Sequence, residues 1–266
     1  MAITTRDGLI AALAASTLNN FTKVSTTTVA GFYYTLWRTA GRPGTGATLP
    51  TASGRTLSRT SAGALTIPAA SGQSYLGAFA ARAGTAGTLI LCDRLVETGA
   101  LVMNVITAQT VNSVALPARA TGLDDVELWL EIHTLGGTTA SASVTASYTN
   151  QDGTAGRTAT LVGGIPATGT PVQRSYQMAL QAGDLGVQSV QTVTLGTSTG
   201  TAGVLGVTLR RSLIAGTIPT ANLGFTFGYP ECDLAMIGDD AALELMWLPT
   251  TTSTGVVSGY VSIAQG

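Results

Sequence analysis

This 266-residue sequence predicts an all-β fold, a jelly-roll-like β-sandwich preceded by a short N-terminal helical arm. Two observations carry that expectation. Beyond Tyr75, short apolar or alternating runs recur between clusters of turn residues, and no helix-length segment alternates with them. Helical spacing of apolar residues is confined to roughly the first forty positions. The chain therefore divides into an arm and Gly/Thr/Pro-rich linker over 1–74 and a sandwich over 75–266.

In the arm, Thr4 followed by Asp7 resembles a capping box, and Leu9, Ile10 and Leu13 then fall on one helical face. Asn19 to Lys23 reads as a turn. A second helix is expected where Val29, Phe32, Tyr33, Leu36 and Trp37 share a face, with Ser25 to Thr28 as caps and Gly41 and Pro43 as its stop. Arg42 to Ser74 is poor in large apolar residues and reads as linker, with one short strand marked by Leu65 and Ile67. The strands follow: Leu89 to Leu95, Leu101 to Thr107, Val126 to His133, Ala140 to Tyr148, Arg157 to Val162, Val190 to Leu195, Val204 to Leu209, Ala242 to Leu248 and Val256 to Ile263. Val126, Leu128, Leu130 and Ile132 occupy one face of the third run, and Glu127, Trp129, Glu131 and His133 the other. The seventh run is expected to form a hairpin with the sixth, and the last two to pair. Periodicity leaves immunoglobulin-like and jelly-roll topologies open, and the strand count favours the larger jelly roll.

Composition narrows the function. Thirteen basic and 14 acidic residues make 10% of the chain charged, against about 25% in ordinary soluble domains. Thr, Ala, Gly and Ser supply half of it, and Lys23 is the only lysine. Lys, Glu and Asp resist burial, so so few of them imply a surface coated with hydroxyls or covered by other protein. That argues against catalysis and for a structural or interaction role. Nucleic acid is not an expected partner, because the twelve arginines are scattered and Arg210-Arg211 is the only adjacent pair. Nor is a membrane: no run approaches the roughly 18 apolar residues of a spanning helix. Leu9 to Ala15 is too short for a signal peptide and follows Arg6 and Asp7, so the expected origin is the cytoplasm. Cys92 and Cys232 sit beside apolar residues and read as buried free thiols, with a long-range disulfide between them as the alternative.

Chemistry has few candidates. His133 is the only histidine, so any Ser-His-Asp or Cys-His arrangement depends on it, and a surface or interface histidine is the simpler reading. Glu131 with His133 offers two metal ligands from one strand face, to which Cys92 or Cys232 would have to be added. Asp124-Asp125 and Asp239-Asp240 read as turn residues. No catalytic, metal or cofactor site is expected. The aromatic face of Phe32, Tyr33 and Trp37, with Arg38 beside it, is either packing against the sandwich or an anchor on a neighbouring subunit, since aromatics and Arg concentrate at interface hot spots. A carbohydrate-binding module is a further alternative, in which Trp129, Trp247 or Tyr260 would stack on sugar rings.

The ends of the chain carry a resemblance. Asp7-Gly8-Leu9-Ile10-Ala11-Ala12-Leu13-Ala14-Ala15-Ser16, Thr26-Thr27-Thr28-Val29-Ala30-Gly31, Leu36-Trp37-Arg38, Pro43-Gly44 and the closing Thr250-Thr251-Thr252-Ser253-Thr254-Gly255 are similar to virion proteins of tailed bacteriophages. The resemblance implies a non-enzymatic, β-rich component of the particle, most simply a capsid decoration (cement) protein. It would act as a symmetric homo-oligomer, a trimer by preference, bound to the major capsid protein or another virion protein. A tail or baseplate component is the alternative within the same group.

Overall fold

A computed structural model describes residues 3–47, 53–166 and 172–266. It contains α1 (Arg6–Ala15), β1 (Thr17–Lys23), β2 (Tyr33–Thr35), β3 (Gly41–Arg42), β4 (Arg55–Thr56), β5 (Ser74–Ala83), β6 (Gly87–Glu97), β7 (Leu101–Val102), β8 (Gln109–Thr110) and β9 (Glu127–Thr134). Then come β10 (Val144–Asn150), β11 (Arg157–Leu161), β12 (Arg174–Gln177), β13 (Val187–Leu195), β14 (Val204–Ile218), β15 (Gly224–Phe227), β16 (Met236–Ile237), β17 (Leu243–Pro249) and β18 (Val257–Gln265). The protein is nearly all β, as its sequence predicts.

Six strands close a ring. β6 pairs with β17, β17 with β2, β2 with β12, β12 with β9, β9 with β14, and β14 returns to β6, each pair antiparallel. Two further sheets flank this barrel, one in the order β15-β5-β18-β1-β3 with β16 beside β5, the other β11-β10-β13-β8. Because successive side chains point to opposite faces, each stave presents one row to the lumen and one outward. On β9, Leu128, Leu130 and Ile132 face outward into a core shared with Val144, Ala146, Tyr148, Val193 and Leu195 of the second flanking sheet. On β6 and β17, Leu89, Leu91, Leu243, Leu245 and Trp247 face outward into a separate core with Phe21, Leu76, Phe79, Val257 and Val261 of the first. The result is two sandwiches that share the barrel as their common layer.

Several expectations are corrected. The first helix forms, with Thr5 rather than Thr4 as its cap, its hydroxyl accepting from the Gly8 amide at 3.0 Å. The second helix does not. Gly31 turns the chain at φ +80, and Tyr33 to Thr35 become the short stave β2 between β17 and β12. Phe, Tyr and Thr suit a pleated strand at least as well as a helix, and so short a run carries no decisive period. Asn19 to Lys23 is not a turn but part of β1, paired with β18 over its whole length. The described part of the 1–74 segment, which leaves out residues 1–2 and 48–52, contributes β1, β2, β3 and β4 to the sheets. The expected pairing of the sixth and seventh runs fails because β13 and β14 belong to different sheets, and so do β17 and β18. Leu65 and Ile67 are buried without forming a strand.

The glycine-rich stretch after β2 packs against Trp37. A Cβ on Gly46 would lie 2.3 Å from the indole and one on Gly63 2.8 Å, so only glycine lets the backbone lie flat on the ring. Lys23, 2% exposed, ties the same stretch to β1. Its ammonium donates to the carbonyls of Thr39, Pro43 and Gly44 at 3.1, 2.9 and 3.4 Å, and burial pulls its pKa down to about 8. Trp37→Ala is expected to cost about 3–5 kcal/mol in chemical denaturation, with the refolded variant keeping its assembly state. An unchanged denaturation midpoint would contradict the packing described.

Candidate functional site

The lumen of the barrel is filled by charge. Contacts between staves that are not neighbours in the ring establish which side chains cross it. Arg94 of β6 reaches Glu131 of β9 at 2.7 Å, and Arg210 of β14 reaches Glu244 of β17 at 2.8 Å. Glu131 is the hub: its Oε2 accepts from Arg94 and from Arg210 (2.8 Å), and its Oε1 accepts from Arg38 at 2.6 Å. Glu97, at the end of β6, takes Arg94 at 2.6 Å and Arg38 at 3.1 Å on Oε2, and Arg55 at 2.6 Å on Oε1. Glu244 Oε2 accepts from Arg94 at 2.9 Å and from the Thr35 hydroxyl at 3.0 Å. Four guanidiniums meet three carboxylates, and the side chains of Arg94, Arg210, Glu97, Glu131 and Glu244 are fully buried.

Aromatic and sulfur groups close both ends of this layer. The Arg210 guanidinium lies 5.4 Å over the Trp129 ring, beside Met246 and Cys92, and Trp129 meets Tyr33 edge to face at 5.1 Å. Arg94 lies 5.2 Å over Trp37 at the opposite side. On the outer face of β12, Arg174 is buried over Phe32 at 4.0 Å and donates to the hydroxyls of Tyr34 and Tyr176 at 3.2 Å each.

Burial alone would raise the Glu131 pKa, but Arg94, Arg38, His133 and Arg210 together hold the carboxyl well below the usual range. Glu97 is held down in the same way, burial being outweighed by Arg94 and Arg38. His133 behaves oppositely. Desolvation is the largest cause and carries its pKa down to about 4, with Arg38 and Arg94 adding to the shift against the attraction of Glu131 and Glu97. Its Nε2 lies 3.7 Å from Glu131 Oε1. What such an array does chemically is match buried charges in place and tie β6, β9, β14 and β17 to one register. Guanidinium forks suit that task because their donors are planar and fixed in direction.

The structure disperses the residues expected to act together. Trp37 is core of its own chain, at 1% exposure. Arg38 belongs to the ionic network, Tyr33 to the lumen, and Phe32 lies half-buried against Tyr176 on the outside. Only Tyr33 lies on a strand, the short β2, while Phe32 sits in the bend before it and Trp37 and Arg38 in the turn after it, so they do not share a helical face. His133 is buried, not a surface residue, and the neighbouring Glu131 is engaged by three arginines. Cys92 sits at the Trp129 end of the lumen and Cys232 in the core with the first flanking sheet, both as free thiols. Among the described residues, no three His, Cys, Asp or Glu are grouped to hold a metal ion. Trp129 and Trp247 are buried, which removes two of the three rings of the sugar-stacking reading. Sequence reasoning does not mark Arg94, Glu97, Arg210 or Glu244 as members of one site. Their signal is a charged residue inside an apolar strand (Leu209-Arg210, Leu243-Glu244-Leu245) in a chain that otherwise carries so few.

Two outcomes test this geometry. Glu131→Gln removes the charge that three guanidiniums share and is expected to cost about 3–5 kcal/mol. Glu127→Gln, at the half-buried mouth where the carboxylate accepts from Trp129 and Ser212, should cost about 1 kcal/mol. Equal losses in urea denaturation would remove Glu131 as the hub. The second outcome concerns pH. Unfolded His133 protonates near 6.5 and the folded residue near 4, so the unfolded state binds the extra proton between them and stability falls as pH drops through that window. The loss is up to about 3 kcal/mol. His133→Met should flatten the melting temperature between pH 6.5 and 4.5; an unchanged slope would show that other groups cause it.

The chain matches no protein-family model and no curated protein. Among solved structures it is similar to the structure of infectious bursal disease virus Gt strain at 11% identity, covering 94% of this chain and 81% of that one, with a TM-score of 0.19. The infectious bursal disease virus VP2 subviral particle matches at 10% identity over 94% and 80% of the two chains, with a TM-score of 0.18. Superpositions this loose carry no argument about fold or function.

Proposed function

We propose that this protein is a non-enzymatic structural component of a tailed-phage particle, acting as a capsid decoration protein that stabilises the shell as a symmetric oligomer. The observation that carries the reading is where the charges lie. Lys23, Asp93, Arg94, Glu97, Glu131, Arg174, Arg210 and Glu244 are buried, so a chain already poor in charge places eight of its 27 ionic side chains inside. No lysine ammonium reaches the surface. Lysine is depleted at interfaces because ordering its long side chain and desolvating its ammonium both oppose association. A body whose exterior is rich in hydroxyls and poor in charge suits a position where other protein covers much of it.

The segments that resemble phage virion proteins also meet in space. Thr28 N donates to Thr252 O at 2.9 Å, Thr254 N to Thr26 O at 3.0 Å, and Ser25 and Ser253 share a hydroxyl contact at 2.8 Å. Beside them β1 runs along β18, so the two ends build one continuous surface. On a lattice each copy would contribute a modest interface, and many weak contacts at high effective concentration would supply the avidity. A tail or baseplate position uses the same physics and is the alternative.

The test is mass spectrometry of gradient-purified particles of the phage that carries this gene. Decoration predicts the chain at a copy number in the range of the major capsid protein, and lost or fragile shells at low ionic strength or high temperature when the gene is deleted. A handful of copies per particle would shift the assignment to the tail. Its absence from particles, with assembly unaffected, would end the virion reading.

A further inference from the structure

Arg174 differs from the other fully buried arginines. Arg94 and Arg210 each meet at least two carboxylates in the lumen. Arg174 is buried as completely, at 0% exposure, yet it meets none. The undescribed residues include no Asp or Glu, and among the described residues its partners are neutral. Its Nε donates to the Tyr34 hydroxyl and its Nη1 to the Tyr176 hydroxyl, and its guanidinium lies over the Phe32 ring. Its Nη2 is buried with no partner at all.

The two phenols share that condition. Tyr34 Oη accepts from Arg174 and from the Val29 amide at 2.8 Å, and Tyr176 Oη accepts from Arg174. Neither hydroxyl proton has an acceptor among the described residues. In a planar guanidinium Nη2 shares one edge with Nε and the other with Nη1. The unpaired nitrogen therefore lies between the two hydroxyls, and three donors surround a place where nothing accepts.

We propose that this place binds a monovalent anion of chloride size, held by Arg174 Nη2 and by the hydroxyls of Tyr34 and Tyr176. A buried cation is costly unless a charge matches it. Hydroxyl dipoles and a ring face lessen that cost without cancelling the charge. A halide suits the donor set because it accepts from several directions at once. A carboxylate suits it less: each edge of the guanidinium already has one nitrogen engaged, so no free fork remains for two parallel bonds. The anion also has a structural task. β2, with three residues, is the shortest stave of the barrel, and Tyr34 on it is the register partner of Arg174 on β12. An anion shared by Tyr34, Arg174 and Tyr176 fastens that stave to its neighbour.

The experiment is thermal unfolding of the full chain at constant ionic strength while sodium gluconate is replaced by sodium chloride or bromide. A ligand held only by the folded state raises the melting temperature as its concentration passes the dissociation constant. Wild type is expected to gain several degrees in either halide, and Arg174→Met to lose that gain. Should this variant not fold, Tyr176→Phe decides: with one donor removed, the halide concentration at which the rise sets in should increase about tenfold. Crystals grown in bromide should show an anomalous peak within hydrogen-bond distance of Nη2. The site is overturned by equal melting temperatures in halide and gluconate, by a gain that Arg174→Met keeps or Tyr176→Phe leaves unshifted, or by bromide bound only elsewhere.

Discussion

One carboxylate organises this molecule. Glu131 lies in the lumen of a closed barrel and is shared by guanidiniums from β6, β14 and the segment after β2. A charge there is tolerable only if it is matched in place, because removing it from water costs more than a single ion pair returns. Arg94 and Arg210 therefore carry second partners, Glu97 and Glu244, and Thr35 supplies a hydroxyl to the latter. Such a network adds less net stability than its number of contacts suggests, since desolvation offsets attraction. Its stronger effect is on register: a one-residue slip of β6, β9, β14 or β17 would carry its charge to the outside and leave the others unmatched.

Placing the charges inside frees the outside of the barrel to be apolar. Most small barrels fill the lumen with aliphatic side chains. Here Leu128, Leu130, Ile132, Leu245 and Trp247 point away from it, and each outward row needs a cover. The two flanking sheets are that cover. The same choice takes eight of the 27 ionic side chains away from the exterior, where hydroxyls, small residues and scattered apolar side chains predominate.

Part of this was legible in order of residues. The alternation from Val126 to His133 separates the core row from the lumen row correctly, and the turn chemistry at Asp124-Asp125 and Asp239-Asp240 is where it was expected. The aromatic run at residues 32–37 was not legible, because spacings of three and four in a nine-residue stretch coincide with alternation around a glycine turn. Nor was β1, whose paired asparagines signal a turn locally but sit on a strand that β18 holds along its full length.

The sequence by itself determined the class of fold, the burial of Cys92 and Cys232 and the poverty of charge, since these follow from local patterns and composition. Only the tertiary structure decided which strands pair, that six of them close on themselves, and that Arg94, Glu97, Glu131, Arg210 and Glu244 meet. The physical reason is range. Alternation states which face a residue occupies, but the partner that neutralises it lies between 3 and 150 residues away along the chain, and that distance is crossed by sheet pairing, which no local pattern encodes.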